Sequence, residues 1–345
     1  MVRGTGAVFD RRACRPGWAL ALYSVRMPGI VDRCGLGVSI ACTLGTLAVA
    51  PAAAAEGMPS TQTLSQSPAA VKAYWTGARM RHAQPADALA PSPLGEAAPA
   101  PRAKRSGLHQ RVRKTGSYPN RTDGKVFFTL GPPNAGDYEC SGTAVRSPSH
   151  SLVWTAGHCV YDPGVLGSGY ATNWEFVPGY NDGRKPYGEW PASKLATTRQ
   201  WHGTSSLSGG DSAFDFGAAT IAPRGGKLLQ DRIGARRIAF NEPRNEVYTA
   251  FGYPAQPPPP EFNGRHLFSC RSPYRGADNT VGPPAPLRIS CDMTAGASGG
   301  GWVIRRHNRG YVVSVTSYGY SNDPNHFYGP YQGAVARSLD KSAGG

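Results

Sequence analysis

Three short strings in this 345-residue chain hold side chains that could act together: Thr155-Ala-Gly-His158-Cys159, Phe214-Asp215-Phe216-Gly-Ala-Ala, and Asp292-Met-Thr-Ala-Gly-Ala-Ser298-Gly-Gly-Gly. A serine hydroxyl is a poor nucleophile until a base takes its proton, and a neutral histidine can take that proton and return it to the leaving group. A buried carboxylate then holds the imidazole in the right tautomer. His158, Asp215 and Ser298 are the three residues of those types. Phe214 and Phe216 flank Asp215 and suit burial, whereas Asp211 follows Gly209-Gly210 and suits an exposed turn. Gly296 lets the chain curve tightly, so that the backbone N–H groups of Gly296 and Ser298 could converge on a developing oxyanion. There is no zinc-type spacing of His, Glu and Cys, no phosphate loop and no dinucleotide fingerprint, so no metal and no other cofactor is expected.

The elements that must carry these groups read as strands. From Lys125 onward, short β-rich runs alternate with turn clusters: Lys125–Leu130, Ser141–Val145, Ser151–Thr155, Asn245–Phe251, Leu287–Ser290, Gly301–Ile304 and Tyr311–Ser317. High Gly and Pro content, 44 and 31 residues, is poor material for long helices. Short strands at this spacing suit an all-β fold, a pair of small barrels or a sandwich, and no repeat suggests a propeller or solenoid.

The N-terminal third has a different character. A basic leader precedes an uncharged run from Cys34 to Ala55 that ends in small residues, the arrangement of a signal peptide over residues 1–55, with a start at Met27 as the alternative. Pro51 and the small residues disfavour the rival reading, a membrane anchor. Residues 56–120 read as a prosegment. Val71, Tyr74, Trp75 and Ala78 fall on one face of an amphipathic helix, Gln84–Pro101 forms an Ala/Pro linker, and a basic run from Arg102 to Lys114 could be cut during maturation. Three cysteines lie in the leader; the other four, Cys140, Cys159, Cys270 and Cys291, form an even set that implies two disulfides in an exported chain. Of three connectivities, the local one is expected, Cys140 with Cys159 and Cys270 with Cys291.

The strings T-A-G-H-C and G-A-S-G-G, in the order His, Asp, Ser, resemble the chymotrypsin-type (trypsin-like) serine proteases, and Cys140 and Cys159 match the family's disulfide around its histidine loop. Phe176-Val-Pro-Gly-Tyr, Lys185-Pro-Tyr-Gly, the Asp215 string and Gly252-Tyr-Pro are similar in style and order to secreted bacterial relatives of the glutamyl endopeptidases. The resemblance covers residues 122 to 340. It implies two perpendicular six-stranded antiparallel β-barrels, 121–235 and 236–345, with the active site between them. It also implies a secreted serine endopeptidase, expected as a monomer, acting on protein or peptide through His158, Asp215 and Ser298 and an acyl-enzyme.

Departures from the family pattern bear on activation and specificity. Ala297 stands where digestive members carry the aspartate that pairs with the new N-terminal amine, so maturation must work otherwise. Thr316 takes the place of the histidine that glutamate-preferring relatives use. Asp292 stands where trypsin-like members bind Arg or Lys, but Cys291 precedes it, so the local path differs; Asp292, Thr294 and Thr316 are the candidate specificity residues.

Two other readings are weighed. Gly296-Ala-Ser298-Gly-Gly300 also satisfies the G-x-S-x-G elbow of α/β-hydrolase esterases, but that fold needs a helix after the serine and its acid and histidine downstream. A catalytically inactive basic module binding nucleic acid or an anionic wall would draw on the formal net charge of +15. Residues 1–55 hold six Lys/Arg against two Asp/Glu, residues 56–120 nine against three, and the remainder 22 against 17. Most of the excess thus lies in segments expected to be removed, and neither a nucleic-acid partner nor a stable membrane anchor is expected.

Overall fold

The strand Asp123–Leu130 is buried along its whole length, although the residues that alternate with Val126 and Phe128 are Asp123, Lys125, Phe127 and Thr129. Val126 and Phe128 point inward to Trp154, Trp174 and Phe176, while Phe127 points outward to Val71, Trp75 and Val177. That alternation is the pattern of a strand with one face on the core, yet Lys125 and Phe127 on the outward face are buried, which requires a cover. A computed structural model, which describes residues 58–88, 107–163, 167–203 and 212–344, supplies it. The signal-peptide and anchor readings, the leader cysteines, Asp211 and most of the Ala/Pro tract lie outside the described residues.

Six antiparallel strands close the first barrel: Asp123–Leu130, Gly136–Val145, Leu152–Thr155, Gly217–Ile221, Trp190–Thr197 and Thr172–Pro178, the last pairing back onto the first. The second sheet is built mainly from Val247–Gly252, Phe268–Ala277, Leu287–Ser290, Gly301–Arg306, Arg309–Val315 and Asp323–Gly329. Its ladders form an open path, and the gap between Arg309–Val315 and Asp323–Gly329 is bridged by single bonds such as Ser317 N to the Tyr328 carbonyl, 2.9 Å. The sheets join through the buried Asp123–Arg236 pair, N to O 2.5 Å, with Arg236 also hydrogen-bonded through its backbone to Ala144 and Arg146. The cysteines pair locally, Cys140–Cys159 and Cys270–Cys291, each closing a loop worth about 3 kcal/mol in the chain-entropy picture. No helix among the described residues is long and apolar enough to cross a membrane.

The segment ahead of the first barrel is built into the fold. Ser60–Thr63 adds an antiparallel strand to the edge of Trp190–Thr197. The expected single helix is two, Pro68–Tyr74 and Gly77–His82, because Thr76 caps a new start by accepting from Arg79 N while Ser67 caps the first. Val71 and Trp75 are buried as the periodicity requires, but the break turns Ala78 to solvent and Met80 inward. The Trp75 indole donates to the Asn173 carbonyl at 2.5 Å and packs 5.4 Å from the Phe127 ring, a burial worth on the order of 4 kcal/mol. The linker reading fails at its beginning: Gln84–Pro85 pairs with Tyr138–Glu139, and Ala86–Ala88 forms a 3-10 turn against the histidine turn. His109–Arg111 then pairs with Phe268–Cys270 of the second sheet.

Glu175 lies on the same outer face, completely buried, and neither carboxylate oxygen has a hydrogen-bond partner among the described residues. Burial, reinforced by Glu189 and only partly offset by Lys185 and Lys72, pushes its pKa up to about 9. The folded state therefore holds this proton while the unfolded chain loses it above its ordinary pKa, so stability declines as pH rises from about 4.5 to about 9. Glu175→Gln should remove that slope and raise stability at pH 7 by about 3 kcal/mol, read as a higher thermal midpoint at pH 7 than wild type and convergence of the two near pH 4.

Candidate active site

His158 sits in a 3-10 turn, Gly157–Cys159, just beyond the strand Leu152–Thr155. The Cys140 disulfide ties the turn to the neighbouring strand, and the Trp174 indole donates to the Cys159 carbonyl at 2.9 Å. Position 157 must be glycine, since a Cβ there would lie 2.8 Å from Asp215 Oδ1 and 2.7 Å from Trp201. Asp215 follows a second 3-10 turn, which Thr198 holds by donating to the Phe214 carbonyl at 2.7 Å. Its buried carboxylate accepts from the His158 backbone N–H at 2.9 Å, lies 2.8 Å from His158 Nδ1, and accepts from the Ser317 hydroxyl at 2.6 Å.

Ser298 comes from the second sheet, in a turn shaped by Gly296 at φ +93° and Gly299 at φ +80°. The hydroxyl of Ser298 donates to the carbonyl of Ser317, 3.4 Å away, the residue that also binds Asp215. Ser141, on the first barrel beside Cys140, holds this turn in place. Its N–H donates to the Ser298 carbonyl at 2.7 Å, its hydroxyl donates to the Gly296 carbonyl at 2.9 Å, and that hydroxyl accepts from Tyr253 N at 2.9 Å. Ser141 and Ser317 carry no signal in sequence, because a serine in a strand is unremarkable until its neighbours are known.

A third carboxylate enters the site from the N-terminal segment. Asp87 Oδ1 is 3.0 Å from His158 Nε2, and Asp87 Oδ2 accepts from Gly296 N at 2.6 Å. Burial alone pulls the imidazole toward its neutral form, but Asp215 on one ring nitrogen and Asp87 on the other outweigh it and raise the His158 pKa to about 10. In the sequence, Asp87 falls within the Ala/Pro tract that reads as a linker.

The candidate specificity residues are all engaged within the chain. Asp292 is fully buried; it accepts from Leu108 N at 2.9 Å and faces His109 Nδ1 at 3.0 Å. Thr294 Oγ1 accepts from Gln256 N at 3.2 Å, and Thr316 Oγ1 accepts from the Trp302 indole at 2.9 Å. Leu108 and His109, which engage Asp292, belong to the segment that pairs with Phe268–Cys270.

The strand Gly301–Arg306 directly after the serine turn removes the esterase elbow, which needs a helix there. Cys140, His158 and Cys159 lie close enough to suggest a metal site, but both sulfurs are spent in the disulfide.

No protein-family model matches the chain, and no curated protein matches it. Solved structures do. The protease Anisep from Arthrobacter nicotinovorans is 37% identical, with a TM-score of 0.59 over 68% of this chain and 99% of its own. The thermostable serine protease AL20 from an extremophilic microorganism is 37% identical, with a TM-score of 0.56 over 65% of this chain and 97% of its own. A Glu endopeptidase at 19% identity and a TM-score of 0.50 shares the fold over 68% of this chain and 96% of its own.

Ser141→Ala would leave the Tyr253 N–H and the Gly296 carbonyl without their buried partner. Two lost hydrogen bonds and the stranded groups should cost about 2 to 4 kcal/mol of stability, with at least a tenfold fall in turnover as the serine turn loosens. Denaturant unfolding alongside steady-state kinetics checks both.

Proposed function

This chain belongs to the chymotrypsin-fold serine proteases, and from that premise we propose that it is a secreted serine endopeptidase made as a zymogen, with His158, Asp215 and Ser298 as its triad. The observation that supports this most is the buried Asp215–His158 couple on the first barrel, together with the turn that carries Gly296 and Ser298, which Ser141 of the same barrel holds across the junction. Asp215 fixes the imidazole through Nδ1, leaving Nε2 to take the Ser298 proton. The hydroxyl oxygen then attacks the scissile carbonyl, the N–H groups of Gly296 and Ser298 receive the oxyanion, and the imidazolium returns its proton to the leaving amine. Water repeats the sequence on the acyl-enzyme. The substrate is protein or peptide, consistent with the activities printed for its relatives, and two disulfides suit an extracellular setting.

The covering segment is read as the propiece. The aligned stretch in the Anisep comparison is 68% of this chain, about as long as the run from Leu108 to the end. Cleavage ahead of Leu108 would leave the strand His109–Arg111 on the mature enzyme.

Ser298→Ala should abolish both peptide hydrolysis and labelling by a fluorophosphonate while leaving the thermal midpoint within a degree or two of wild type. Label retained on the Ser298→Ala chain would sink the assignment of the nucleophile. For the cleaved enzyme, activity should fall as pH drops through the His158 pKa, because only the neutral imidazole accepts the proton. That midpoint should lie well below the intact chain's value of about 10, since Asp87 is gone. A rate that stays level down to about pH 4 would exclude His158 as the base.

A further inference from the structure

The chemistry of the Asp87 contact distinguishes it from ordinary packing. A carboxylate has two oxygens on one carbon, as does the product of peptide hydrolysis. Here one oxygen meets the nitrogen that must act as base and the other takes the N–H that must stabilise the oxyanion. What occupies the centre is a side chain, so the carbonyl carbon of a scissile peptide is not presented to Ser298. We propose that the segment Met58–Ala88 is an inhibitor built into the chain, anchored on the outer face of the first barrel and inhibiting through the Asp87 carboxylate, which takes the place of a substrate's reacting group. The inference rests on the endopeptidase reading and extends it to how the intact chain is kept silent.

Three further observations carry it. The contact is electrostatically matched: an aspartate faces a histidine already paired with Asp215, and in a site this buried the second anion favours the imidazolium, which cannot accept the proton of Ser298. The Ser298 hydroxyl donates to the Ser317 carbonyl rather than addressing a base. The approach is also guided from both ends of the segment. Ser60–Thr63 extends the barrel sheet, Trp75 is 2% exposed against Phe127, and the Arg79 guanidinium pairs with Asp137 at 2.9 Å. Gln84–Pro85 then lies along Tyr138–Glu139, immediately before Cys140 and Ser141, and delivers Asp87 to the serine turn. The occupant of the outer face around Phe127 is therefore this segment of the chain itself.

The test uses the full-length chain with Asp87→Ala, Asp87→Asn or Trp75→Ala, exposed to a fluorescent fluorophosphonate and resolved by mass so that label is read on the uncleaved band. Near-UV circular dichroism verifies that each variant is folded. The intact Asp87→Ala chain should label at least tenfold faster than intact wild type. Asp87→Asn, which keeps an acceptor for Gly296 N but no charge for His158, should fall between them, and Ser298→Ala should show no label. An intact, folded Asp87→Ala chain that labels no faster than wild type, while cleaved wild type labels readily, overturns the inhibitory role of Asp87. Trp75→Ala should also label faster, and a rate equal to wild type would overturn the outer face as the anchor. If cleaved wild type itself takes no label, the endopeptidase reading fails instead.

Discussion

The candidate catalytic groups of this chain are divided between two sheets, so the structure depends on a hydrogen-bonded junction beside them. Ser141 is that junction. Its backbone N–H and its hydroxyl reach the carbonyls of Ser298 and Gly296, and the same hydroxyl satisfies the Tyr253 N–H. Thr143, two residues on, bonds both Asp123 on the first barrel and Gly301 N on the second sheet. A buried polar atom between two layers is costly unless fully paired, so these hydroxyls enforce a single relative placement. Because Cys140 adjoins Ser141 and bonds Cys159, one strand locates both the histidine turn and the serine turn.

The same strand receives the N-terminal segment, which explains how a distant piece of chain can reach the reacting groups. Gln84–Pro85 pairs with Tyr138–Glu139, and the turn beyond it needs only to reach across to His158 and Gly296. Carboxylates on both ring nitrogens favour the charged form of the imidazole. Asp215 alone orients the imidazole and stabilises it once charged; Asp87 in addition favours the charged form before any substrate is present.

The covering segment also shields side chains on the outside of the barrel. Phe127 and Val177 face outward and yet are fully buried, and Glu175 between them on that face is shielded without a hydrogen-bond partner among the described residues. The apolar patch of Phe127 and Val177 is covered by Val71, Trp75 and Met80 and becomes exposed surface without them. The second sheet shows a related economy: His109–Arg111 pairs at its edge, and Leu108 and His109 engage Asp292. Asp292 is thereby engaged by one backbone N–H and one imidazole of the chain itself.

Legibility in the sequence followed the range of the interactions. The strands near Lys125–Leu130 and Leu287–Ser290, the local disulfides and the burial of Asp215 between Phe214 and Phe216 could be read because turn chemistry, short loops and apolar flanks act over a few residues. The helix break at Thr76 was written in a capping residue but was masked by the stronger apolar periodicity around it. Asp87 could not be found that way: its partner Gly296 lies 209 residues along the chain, and an aspartate in an Ala/Pro tract has the composition of a solvated linker. By itself, the sequence determined the fold class and the candidate chemistry, since both rest on residue types and local spacing. Only the tertiary structure decided that Ser141 joins the two halves, that Asp292 is engaged from within and that Asp87 occupies the centre, because hydrogen bonds between distant segments are directional and exist only once packing has fixed both partners.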